Sequence, residues 1–191
     1  MSLTKIPFET DKLKLEKIYE DESLKNDYNE NGLKIDKTDK IYGELKFSNI
    51  PDDRPLTFAS FVLSIDGAIA FDDAPEGPFI AKKNFLDQNG ANVDFWLLNM
   101  LRANSDGIIV GAGTMQKEAD MTAHIFDQDL EDARVEKLNK NKVPLNIVVS
   151  LDGKDIPFEH KLFKAEEVPV YIATSPEGAK YSSENIKQDN F

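Results

Sequence analysis

Two short stretches carry residue types that could do chemistry: Ser64-Ile65-Asp66-Gly67 and Asp106-Gly107-Ile108-Ile109-Val110-Gly111-Ala112-Gly113-Thr114. Each places glycine and small polar residues directly after an apolar β-type run, which is where open α/β sheets put their ligand crevice. In Gly111-Ala112-Gly113-Thr114 the glycines allow backbone to approach a flat or phosphorylated ligand, and the helix start that follows offers free N–H donors beside a hydroxyl. The stretch is not the dinucleotide fingerprint, because Gln116 falls where the third glycine would stand, and it is not a Walker loop. A tight strand-to-helix turn that needs glycine for steric reasons alone explains the same residues equally well. Ser64 and Asp66 are two residues apart, so on a strand they face one side and could orient a ribose or a base. The same Asp-Gly is also among the commonest turn starts, and that is the stronger of the two readings.

Other reactive side chains are few. Arg102, near a predicted helix C-terminus, suits the helix dipole and could reach a ligand phosphate from there. Lys82 and Lys83 form a doubled cation expected in solvent. The histidines, His124 and His160, sit in polar surroundings and are expected at the surface.

Composition bounds the function. The chain has 191 residues, 23 Lys and Arg against 35 Asp and Glu, and a formal charge of −12. That field repels polyanions and argues against nucleic acid and anionic membrane partners, so a phosphate-bearing ligand needs local backbone donors. The absence of cysteine excludes disulfides, thiolate metal sites and cysteine nucleophiles, and fits a cytoplasmic protein. With two histidines a histidine-rich metal centre or a Ser-His-Asp hydrolase is disfavoured, and no metal site is expected. No apolar run approaches bilayer length.

The elements that must position these residues follow from periodicity and punctuation. Residues 1–50 read as an N-terminal extension, lysine- and acid-rich, with a polar run from Asp21 to Gly32, a weak helical stripe of Leu13, Leu15, Ile18 and Tyr19, and the anchors Ile41, Tyr42, Leu45 and Phe47. Pro51-Asp52-Asp53-Arg54-Pro55 starts a second region, residues 51–191. Leu56 to Ile65 is apolar on both alternating faces and predicts a strand covered on both sides. Asn92 is a predicted N-cap for a helix burying Val93, Trp96, Leu97, Met100 and Leu101. Ile108-Ile109-Val110 is a short strand, a helix starts near Thr114, and further strands are expected at 144–150 and 168–174. The segment Asp127 to Lys142 reads as mixed charge without an assigned element, and Lys180 to Phe191 as a polar tail with no closing strand or helix. Apolar strands separated by helical or loop segments predict an α/β fold with a mainly parallel sheet and helices on both faces.

At this point a family resemblance carries further. Arg54-Pro55, Ser64-Ile65-Asp66-Gly67-Ala68-Ile69-Ala70, Leu101-Arg102-Ala103-Asn104-Ser105-Asp106-Gly107-Ile108-Ile109-Val110-Gly111-Ala112-Gly113-Thr114 and Pro144-Leu145-Asn146-Ile147-Val148-Val149-Ser150 stand in the order seen in the reductase domain of riboflavin biosynthesis, which the chain resembles from Arg54 to Thr174. The resemblance implies a dihydrofolate-reductase-like fold, incomplete at its C-terminus because the family's later Glu-Gly-Gly segment has no counterpart before Phe191. It implies NADPH as cofactor, a phosphoribosylamino-pyrimidine as small-molecule substrate, and a homodimer. By the same resemblance Gly111, Gly113, Thr114 and Glu118 face the cofactor, Ser64 and Arg102 bind substrate, and Asp66 is the catalytic candidate that orients or protonates it. The chain departs from the family at Glu118-Ala119-Asp120-Met121-Thr122-Ala123-His124, where an Asp-Asp-Pro and a downstream Thr-Val-Arg or Thr-Val-His are usual, and at Ser60, where bacterial members often carry lysine. Two alternatives stay open: a degenerate reductase-fold protein acting by association, and another pteridine or dihydrofolate-type reductase.

Overall fold

The computed structural model describes residues 3–19, 21–22, 28–87 and 89–186, and of residues 28–31 the backbone only. Part of the polar run from Asp21 to Gly32 and the end of the tail, residues 187–191, therefore lie outside the described residues.

The chain opens with a strap that contains a 3-10 turn, Thr10–Lys12. Strand β1 (Tyr28–Asn31) then pairs antiparallel with β2 (Lys46–Ser48) around helix α1 (Asp36–Ile41). After a long irregular segment come α2 (Pro78–Lys82), α3 (Gly90–Asn104), β3 (Gly107–Gly111), α4 (Ala112–Lys117) and α5 (Gln128–Leu138). The chain continues with β4 (Leu145–Val149), α6 (Lys161–Lys164), β5 (Val170–Ala173) and α7 (Pro176–Asn185). Strands β3, β4 and β5 form a parallel sheet in that order, with Ile109, Ile147 and Tyr171 in register across it. This is the expected mixed α/β architecture, and α3 and α4 each begin about two residues earlier than their sequence signals suggest.

Two apolar cores hold the fold. In the first, Trp96, Met100 and Ala103 of α3 meet Leu130 and Ala133 of α5 together with Phe8, Leu13, Leu33 and Ile41. Residues from the N-terminal fifty are thus part of the packing around α3. Of the expected anchors, Ile41 is buried, Leu45 packs against this core, Phe47 meets the Phe58 ring at 5.1 Å, and Tyr42 is exposed. In the second core, Val110, Val148 and Val170, alternate residues on one face of the sheet, pack with Met115, Leu162 and Phe163. The opposite face, where helices are expected as well, is open among the described residues: Ile109 is 64 % and Tyr171 67 % exposed, with Val149 beside them.

Helix α5 joins the parts through two buried charges. Its N-cap Asp127 accepts from Asp129 N at 2.9 Å and Leu130 N at 3.3 Å, from the Trp96 indole at 3.1 Å, and from the Lys37 ammonium at 2.7 Å. Helices α1, α3 and α5 therefore meet on one carboxylate, and four donors offset its burial. Arg134, one turn and more along, donates Nη1 to the carbonyls of Ala103 at 3.0 Å and Ser105 at 2.6 Å, closing the C-terminus of α3. Between these helices and the sheet runs residues 122–126, held by Asn146 Oδ1, which accepts from Ala123 N at 3.0 Å, and by Asn99 Oδ1, which accepts from Phe126 N at 2.6 Å.

Five expectations are corrected. Leu56 to Ile65 is not a covered strand: it forms no ladder with β3–β5, and Phe61, Leu63 and Ile65 are exposed. Apolar alternation reports what side chains are, not whether a neighbouring strand supplies the hydrogen bonds a strand needs. Asp127 to Lys142 contains α5, hidden by its charge yet marked by an aspartate N-cap and by Asn139 in the left-handed conformation at φ 51° as C-cap. Residues 180–185 belong to α7, which starts at Pro176 under the Ser175 cap. Both histidines are buried. His124 Nε2 donates to the Thr4 carbonyl at 2.9 Å while its Nδ1 accepts from the Thr122 hydroxyl at 2.7 Å, and Leu13, Leu15, Ile18 and Tyr19 form no helix.

Two outcomes follow for stability. Met100→Ala costs about 2–5 kcal/mol through transfer and cavity terms, whereas Phe85→Ala, at a 94 % exposed position, changes stability by less than about 0.5 kcal/mol. Equal losses in urea unfolding would contradict the assignment of the first core. Burial, with the charges of Lys5 and Arg102, pushes the His124 pKa below its usual 6.5 against the Thr4 carbonyl and Glu131. The unfolded chain therefore binds this proton more readily, so stability is full above pH 6.5 and falls as the pH drops below it, by at most about 1.4 kcal/mol per pH unit. A His124→Gln variant loses that part of the dependence in melting curves at pH about 7 and about 5.5, and an unchanged slope would exclude His124 as its source.

Candidate functional site

A cavity of about 830 Å³ opens between α3, α4 and the irregular segment before α2. Its size is that of small-molecule sites. Phe61, Val62 and Ile69 form one wall, Phe95, Leu98 and Arg102 of α3 a second, and Thr114, Glu118, Met121 and Phe126 a third. The lining is largely apolar, so the charged groups that enter it act in a medium of low polarity.

Arg102 is the central one. It is 7 % exposed, donates Nη1 to the His124 carbonyl at 3.2 Å, and its buried Nε finds no acceptor among the described residues. Burial pulls the guanidinium down to about 10, against the pull of Glu118, so it stays charged at neutral pH. Burial pushes the Glu118 carboxyl above the usual carboxylate range; the charges of Arg102 and Lys82 oppose this and Glu76 adds to it. Asp94, on the same wall as Arg102, is raised by burial as well. Glu76 also carries a buried oxygen, Oε2, with no donor among the described residues. The site thus presents a cation with a spare donor beside carboxyl groups that hold protons more readily than exposed ones.

Gly111, Gly113 and Thr114 are exposed at the carboxyl end of β3, and Thr114 lines the cavity. A Cβ added at Gly111 or Gly113 would meet no atom within 4 Å, and Gly111 has an ordinary φ of −77°. The protein's own packing does not require glycine at either position, which removes the purely steric account of this turn.

The structure brings Arg102, Thr114 and Glu118 together and leaves Ser64 and Asp66 on a turn between the lining residues Val62 and Ile69. There the Ser64 hydroxyl donates to Asp66 Oδ1 and accepts from Ala68 N at 2.9 Å, Ser64 N donates to Ala68 O at 3.0 Å, and Gly67 takes φ +85°. That φ is what glycine is needed for here. The Ser64 hydroxyl holds the Asp66 carboxyl below its usual range, so Asp66 is ionised at neutral pH. Lys82 lines the cavity, and Lys83 lies 4.5 Å from the centre of the Phe71 ring, so neither is a purely solvated cation. Glu76, Asp94 and Phe95 escaped sequence reading as site residues because no motif spacing links them.

Arg102→Met removes the largest charge opposing the rise of Glu118. The Glu118 carboxyl then titrates at still higher pH, as followed by carboxyl-carbon NMR; a fall or no change would show that the two charges do not face each other.

Comparison with curated proteins and with solved structures returns no match. The family model described as the RibD C-terminal domain matches residues 55–189, a span that takes in the irregular wall, α2 to α7, the whole parallel sheet and every residue of the cavity named above. The chain therefore belongs to the RibD C-terminal domain family, the reductase-like domains of riboflavin biosynthesis on a dihydrofolate-reductase-like mixed α/β fold.

Proposed function

We propose that the chain is an NADPH-dependent pyrimidine reductase that reduces the ribosyl group of a phosphoribosylamino-pyrimidine to a ribityl chain, working in the cytoplasm as a homodimer without nucleic acid or membrane partners. Residues 51–191 carry the chemistry in this reading and residues 1–50 brace them. One observation carries it: the open glycine turn at the end of β3 runs directly into a cavity that Thr114, Glu118 and Arg102 share.

The residues fit such a cofactor. Gly111 and Gly113 leave room over the backbone for a flat or phosphorylated group, and Thr114 offers a hydroxyl beside it. When bound, the dinucleotide supplies the hydride, and the protein supplies orientation and exclusion of water. Arg102 Nε, with no acceptor of its own, donates to a substrate oxygen. The hydride goes to the ribose carbon attached to the amine in its ring-opened imine form, and a proton goes to the imine nitrogen. In this reading Glu118, which holds a proton more readily than an exposed carboxyl, gives it, while Asp66, ionised on the turn with Ser64, orients the substrate as it enters. No helix among the described residues is long and apolar enough to cross a membrane.

Gly113→Val separates the two roles of the turn. It fills open space and leaves the melting temperature unchanged or slightly higher, because glycine disfavours helix by about 0.5–1 kcal/mol. NADPH binding followed by fluorescence weakens at least about tenfold. Native protein that gives neither a fluorescence change nor a rise in melting temperature with NADPH would refute the reading, since a ligand specific for the folded state must stabilise it.

A further inference from the structure

We propose that His160 is a positioning residue for Glu118: its imidazole fixes the carbonyl at which α4 ends, and with it the wall from which the Glu118 side chain enters the cavity. The functional half of this proposal rests on the reading of Glu118 given above.

His160 lies outside the cavity and is 6 % exposed. Its Nδ1 accepts from Leu162 N at 3.0 Å, which caps α6. An amide N–H can only donate, so Nδ1 carries no proton and the neutral ring has its proton on Nε2. Nε2 donates to the Glu118 carbonyl at 2.8 Å. Both ring nitrogens are thereby committed and a single tautomer is fixed.

The carbonyl it holds sits at a branch point. Glu118 is the C-cap of α4, with φ −118° and ψ 71°, outside the helical region. The same oxygen accepts from Met121 N at 3.0 Å, closing a turn over residues 118–121. Residues of this turn line the cavity. Helix α4 is anchored in the second core by Ala112 and Met115, but Glu118 lies beyond its last residue and outside the helical region. Helix α6, whose Leu162 and Phe163 are buried in the same core, supplies through His160 a second hold on the chain where it leaves α4. The imidazole thus carries the rigidity of that core to the backbone that aims the Glu118 carboxyl.

The two bonds of His160 are separable by substitution. An Asn side chain keeps an acceptor near the Nδ1 position and is a good N-cap, yet it is too short to reach the Glu118 carbonyl. A Gln side chain places an amide donor near the Nε2 position and caps poorly. A residue serving only the fold predicts that every loss tracks stability. A positioning residue predicts a crossed pattern.

The experiment compares His160→Asn and His160→Gln by NADPH fluorescence titration, melting temperature and amide proton–nitrogen spectra of the ligand-free protein. His160→Asn is the more stable variant but binds NADPH about fivefold or more weakly, and the amide signals of residues 119–122 move. His160→Gln melts lower, binds within about twofold of the native protein, and keeps those signals in place. On a Glu118→Gln background His160→Asn has no further effect on binding. Unmoved signals in His160→Asn, or binding losses in both variants that follow melting temperature, overturn the proposal. If the signals move but the native protein itself fails to bind NADPH, the cofactor reading falls and the clamp on the Glu118 backbone stands.

Discussion

The Arg134 guanidinium, 1 % exposed, sits where α3 turns into β3 and donates to the carbonyls of Ala103, Ser105 and Asn141. A helix end leaves carbonyls without partners, and here they are buried and cannot turn to water. Burial lowers the affinity of Arg134 for its proton, with Asp106 opposing, but the group remains a cation and its donors are all but committed to backbone. Everything downstream is hung from this point: the direction of β3, the register of the parallel sheet that follows, and the position of Arg102, whose own carbonyl is 3.4 Å from the same guanidinium. The site is therefore aimed by a helix that does not touch it. Asp127 at the start of α5 repeats the arrangement with opposite sign, gathering α1, α3 and the Trp96 ring on one carboxylate.

In and beside the cavity the same physics acts on groups that are left incomplete. Arg134 and Asp127 have partners for their burial, whereas Arg102 keeps a bare Nε and Glu76 a bare oxygen among the described residues. A buried donor without an acceptor costs free energy in the folded state, and proteins hold such groups where a bound molecule completes them. The contrast between satisfied charges around α5 and unsatisfied ones beside α4 divides the molecule into a part that maintains shape and a part that awaits contact. His160 and His124 belong to the first part but hold the second, one through the Glu118 carbonyl and one through the Thr122 hydroxyl.

Much of this was legible in the sequence. Ile108-Ile109-Val110 and the runs at 144–150 and 168–174 read as buried parallel strands because β-branched residues crowd short segments bounded by turns; the strands are there, at 107–111, 145–149 and 170–173, but only one face of them is buried. Thr114 follows from the glycine turn after β3, Arg102 from its place near a helix C-terminus and Glu118 from the family resemblance alone, and the structure brings all three to one cavity. Other parts were not legible. Helix α5 carries charge around its whole circumference, so periodicity gives it no face, and its helicity rests on Asp127, Arg134 and Asn139 acting together. The histidines looked solvated because their sequence neighbours are polar, although burial depends on the strap at Thr4 and on α6, remote in the chain. Leu56 to Ile65 shows the reverse: apolar residues adjacent in sequence, with no strand beside them in space.

The bare side of the three-stranded sheet has a physical consequence for the molecule in solution. Ile109, Val149 and Tyr171 place a greasy plate against water on a chain whose net charge is −12. Such a surface attracts its like, while the net charge opposes the approach of one copy to another. Dispersal is accordingly a property of the medium as much as of the fold. Salt that shortens the reach of these charges shifts the balance toward clustering.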